Sequence, residues 1–68
     1  MIAAIGTASR VQGWCLAGAL VRPAETSEEV REAFRGLPQE VSVLVLTRAA
    51  HAALADVTDG RLQVVMPP

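Results

Sequence analysis

The stretch "AAIGTASRVQGWCLAG", residues 3–18, decides how the rest of the chain is read. Ile2 to Ile5 is a continuous apolar run that ends at Gly6. Such a run is the pattern of a strand covered on both faces. Ser9 is placed to cap a helix, with Gln12 three residues later completing a capping box. The helix is expected over residues 10–19. Its Val11, Trp14, Cys15 and Gly18 follow the i, i+3, i+4, i+7 spacing of an apolar stripe. That stripe predicts that Trp14 and Cys15 share the interface between this helix and the sheet or a neighbouring helix. Glycine within a helix costs up to about 1 kcal/mol relative to alanine. Gly13 therefore reads as a point of close backbone approach, and Gly18 as the helix end.

Outward from this unit the alternation continues. Leu20 and Val21 form a short second strand, ended by Pro23, which has no N–H to give a ladder. Thr26 caps a second helix, with Glu29 at the capping-box position. Val30, Ala33, Phe34 and Leu37 form its apolar stripe, Glu28, Arg31, Glu32 and Arg35 its wet face, and Gly36 and Pro38 stop it. Val41 to Leu46 reads as a buried central strand. Thr47 caps an alanine-rich third helix over residues 48–57, Asp59 and Gly60 turn the chain, and Leu62 to Met66 is the fourth strand before Pro67 and Pro68. Strand and helix alternating three times, then a strand, predict a parallel sheet with helices on both faces. The expected fold is a single α/β domain over residues 1–68, a small flavodoxin-like (Rossmann-like) sheet of order 2-1-3-4 with three helices.

A strand-glycine-helix opening can hold an anion on the free amides of the helix start. Thr7, Ala8 and Ser9 would offer those amides, and Arg10 a charge. The specific fingerprints are missing. A dinucleotide turn needs G-x-G-x-x-G, and a phosphate loop needs a lysine. This turn holds one glycine, and the chain has no lysine. The expectation is helix capping and no nucleotide site. The other chemistry-bearing residues give equally little. His51 has no second ligand at metal spacing and reads as solvated. Ser9, His51 and Asp56 could be imagined as a triad, but five residues along a helix point His51 and Asp56 apart. Glu28, Glu29 and Glu32 read as a charged helix face. Phosphotransfer of the receiver type needs carboxylates after the first strand and an acceptor aspartate after the third; Gly6-Thr7-Ala8 and Thr47 stand there instead. No catalytic, cofactor-binding or metal-binding residue is assigned.

Composition sets the outer bounds. The chain has 68 residues, one cysteine and 51% hydrophobic residues. A domain of that size buries only about 60% of the surface its unfolded chain exposes. Cys15 cannot form an internal disulfide, so aliphatic packing must supply the stability. A net charge of −1 gives no electrostatic reason to expect nucleic acid or an anionic membrane. No apolar run reaches the roughly 20 residues of a membrane span. No leader is expected ahead of the first strand, and the expected compartment is the cytoplasm. The alanines of the third helix (Ala49, Ala50, Ala52 and Ala53), with an exposed sheet edge, are the expected contact surface for a partner.

"IGTASRVQGWCLAG" resembles the start of the F subunit of V/A-type rotary ATPases, whose members open on an I-G strand end, an acidic turn and a helix of the form T-V-x-G-F-x-L-A-G. Ile5, Gly6, Val11, Gly13, Leu16, Ala17 and Gly18 match, and Trp14 stands at the aromatic position. "TSEEVREAF" resembles the family's N-P-E-E-A-x-E-A-F segment, "VSVLVLTRAAHAAL" its strand ending in I-T before a short helix, and "LQVVMPP" its closing P-x-V-x-x-I-P-S strand. The resemblance implies a four-stranded parallel α/β domain. It also implies a non-catalytic protein of the central stalk that docks on the coiled-coil axle, the D subunit of those complexes. Two departures are visible. Thr7, Ala8 and Ser9 replace the acidic turn, and the family's C-terminal helical segment is expected to be lacking after Pro68. The alternative is a small flavodoxin-like ligand-binding or regulatory domain using the strand ends near Thr7 and Thr47. A further possibility is a self-associating module.

Overall fold

The computed structural model describes residues 1–57 and 60–66. Its elements, in chain order, are β1 (Ile2–Gly6), α1 (Ala8–Val11), a 3-10 segment (Gln12–Ala17), β2 (Leu20–Pro23), α2 (Ser27–Arg35), β3 (Val43–Leu46), α3 (Arg48–Ala53) and β4 (Leu62–Val65). The four strands form one all-parallel sheet of order β2-β1-β3-β4. The expected α/β fold and its 2-1-3-4 order are therefore present.

Side chains alternate across the sheet and divide its two faces. Ala3, Ile5, Leu44 and Leu46 point to the face covered by α2 and α3, where Val30, Leu37, Ala50 and Leu54 complete the larger core. Ala4 and Val45 point the other way, to Val11 of α1 and Met66. The helix-2 stripe behaves as its spacing predicts, with Val30 and Leu37 buried and Ala33 and Phe34 packed beside them. The Thr26 hydroxyl accepts from the Glu29 amide at 3.1 Å. The Glu29 carboxylate reaches one residue further back than a standard capping box and accepts from the Glu25 amide at 2.7 Å.

The first helix departs from its expected form. It starts at Ala8, with Thr7 at the cap position and no side-chain cap bond, so Ser9 and Gln12 form no capping box. The Thr7 carbonyl already accepts from the Arg10 and Val11 amides at 3.0 and 3.1 Å, which puts Ser9 inside the first turn. After Val11 the chain tightens to a 3-10 helix, which advances three residues per turn. On that period Val11 and Trp14 stay in line while Cys15 rotates away. Trp14 accordingly packs against the smaller core and Cys15 is exposed, so Cys15 does not share the interface expected of it. Gly13 faces open space and is no close-approach point. Gly18 does end the helix, at φ 84°, with its amide donating to the Cys15 carbonyl.

Other boundaries move inward for local reasons. β3 begins at Val43 because the Val41 amide turns back to the Pro38 carbonyl, yet Val41 remains in the core. α3 closes at Ala53, where the Leu54 amide is shared between the Ala50 and His51 carbonyls and tight turns run on to Val57. Leu20 and Val21 lie in β2, which runs on to Pro23 on the sheet edge. Met66 leaves β4 but still donates to the Leu46 carbonyl at 2.7 Å. Asp59, Pro67 and Pro68 lie outside the described residues. Below the sheet, Arg61 donates from Nε to the Val41 carbonyl (2.8 Å) and from an Nη to the Pro38 carbonyl (3.1 Å), with its guanidinium 5.6 Å from the centre of the Phe34 ring.

At the other end of the sheet β1 and β3 converge. A Cβ built on Gly6 would overlap Cγ2 of Thr47. Gly6→Ala is expected to destabilise the fold by about 1–3 kcal/mol through overpacking. Thr47→Ser removes the methyl and keeps the hydroxyl, so the double variant should recover part of that loss in urea denaturation. A double variant that loses the sum of the two single losses would place the strain elsewhere.

Candidate functional site

In a parallel sheet of this order, ligands are expected in the crevice outside the strand ends where the order reverses, here between β1 and β3. Gly6 and Thr7 leave β1 on one side of that crevice and Thr47 leaves β3 on the other. Thr47 is buried; its methyl lies where a Gly6 side chain would be, its amide donates to the Ile5 carbonyl at 3.3 Å, and its hydroxyl accepts from the Ala50 amide at 3.2 Å. That hydroxyl is spent on capping α3, as the sequence suggests, and the methyl closes the crevice floor.

The start of α1 is also taken. The Ala8 amide donates to a Glu25 carboxylate oxygen at 3.2 Å. A carboxylate from the β2–α2 loop thus occupies the place a phosphate would take on that short helix. Sequence reasoning considered Thr7, Ala8, Ser9 and Arg10 and missed Glu25. Its one local signal was its position just before the Thr26 cap, where the chain turns back over the strand ends.

The remaining candidates do not assemble. Asp56 pairs with Arg31 at 2.8 Å, joining α2 to the turn after α3, while His51 is exposed on α3. Glu28, Glu29 and Glu32 are exposed along α2, Glu32 lying 3.7 Å from Arg35. Among the described residues no group of three or more His, Cys, Asp or Glu side chains could hold a metal ion, and no helix is long and apolar enough to cross a membrane. A hollow of about 180 Å³ between α2 and α3 is lined by Arg31, Phe34, Arg35, Leu54 and Val57. A more open one of about 350 Å³ lies by Gln39, Val41, Ser42, Gly60 and Arg61.

The α3 alanines are a smaller exposed surface than expected, because Ala50 is buried and Ala53 packs against the larger core. That leaves Ala49 and Ala52 in solvent. The broader exposed apolar surface lies on the opposite face, around Ile2, Leu62 and Val64. Local pattern could not reveal it, since it depends on how few helices the topology puts on that face.

No family model, curated protein or solved structure matches the chain.

Two measurements check this site. Calorimetric titration with ATP, GTP or FMN is expected to give no dissociation constant tighter than about 10 μM. A tighter one would mean that Glu25 and Thr47 yield to a ligand. In the folded, dilute chain Cys15 should react with a thiol reagent nearly as fast as in urea; protection beyond about tenfold would contradict its exposure.

Proposed function

We propose that the chain is a central-stalk protein like the F subunit of a V/A-type rotary ATPase or ATP synthase, docking on the axle (the D subunit) and contributing to the coupling of ATP turnover to ion transport. In this reading it is not itself an enzyme, and it works in the cytoplasm, peripheral to the membrane through the complex. One observation carries the reading. The four stretches that resemble the family fall in order on β1 with the first helical turns, on α2, on β3 with α3, and on β4, in the parallel sheet the resemblance implies. The closed strand-end crevice favours a docking role over the alternative of a small-ligand domain, which would need both Glu25 and Thr47 to be displaced.

Co-expression with the axle protein from the same cells tests this. The expected outcome is a co-purifying complex whose melting temperature exceeds that of the chain alone. Axle at one hundred times its dissociation constant would add about 2.7 kcal/mol. Separate elution, with an unchanged melting temperature, would overturn the reading.

A further inference from the structure

We draw no further inference here: the strongest candidate, the outer edge of β4 with the exposed side chains of Leu62, Val64 and Val65 along it, carries nothing because nothing in the structure shows what covers it.

Discussion

The contact between Gly6 and Thr47 holds the two central strands at the distance on which the rest of the fold depends. Among the described residues, β1 and β3 are the strands with neighbours on both sides, and their ends meet where the order of the sheet reverses. A side chain at position 6 would push them apart there, because the Thr47 methyl already fills the space. The same threonine starts α3 through its hydroxyl and extends the ladder through its amide. One small residue and one β-branched residue thus close the crevice, join the strands and launch a helix. The space between the two strand ends is taken up by the Thr47 methyl rather than left open.

Much of this was legible in the sequence where local period and tertiary packing agree. The stripe of Val30, Ala33, Phe34 and Leu37 and the run from Leu44 to Leu46 could be placed because each buries what its spacing says it should. Cys15 shows where such reasoning breaks. Its assignment to the core assumed 3.6 residues per turn, and the chain at that point advances by three. A change of period too small to shift Trp14 out of contact was enough to turn Cys15 into solvent. Glu25 was illegible for a different reason. Its role depends on two loops, each following a different strand, meeting above the same sheet edge. The exposed surface around Ile2 and Leu62 required the topology, since in sequence they are ordinary apolar strand positions.

The two faces of the sheet are unequal in kind. On one, α2 and α3 bury a continuous aliphatic core and are tied together by Arg31 and Asp56. That pair is exposed enough to contribute little by itself, at most about 1 kcal/mol. Arg61 is better placed, being partly buried, bonded to two backbone carbonyls and stacked near Phe34. It fastens the start of β4 to the loop that leads into β3. The opposite face has one short helix and a 3-10 segment, so its core is small, and Met66 must reach back across Val45 to help close it. The stability of the chain is accordingly concentrated on the α2–α3 side.

The all-parallel register also governs the order in which the chain can assemble. No two neighbouring strands are joined by a tight turn, so every ladder must wait for a loop to close. β1 meets β2 across the first helical turns, and β3 meets β4 across α3, both at moderate separation. The central pairing of Ile2 with Val43 spans more than half the chain. Closing the seam at Gly6 and Thr47 therefore carries a larger loop-closure cost than either of the two outer pairings. Non-local parallel pairing is intrinsically slower to form than hairpin pairing, because loop entropy is lost before the contacts are gained.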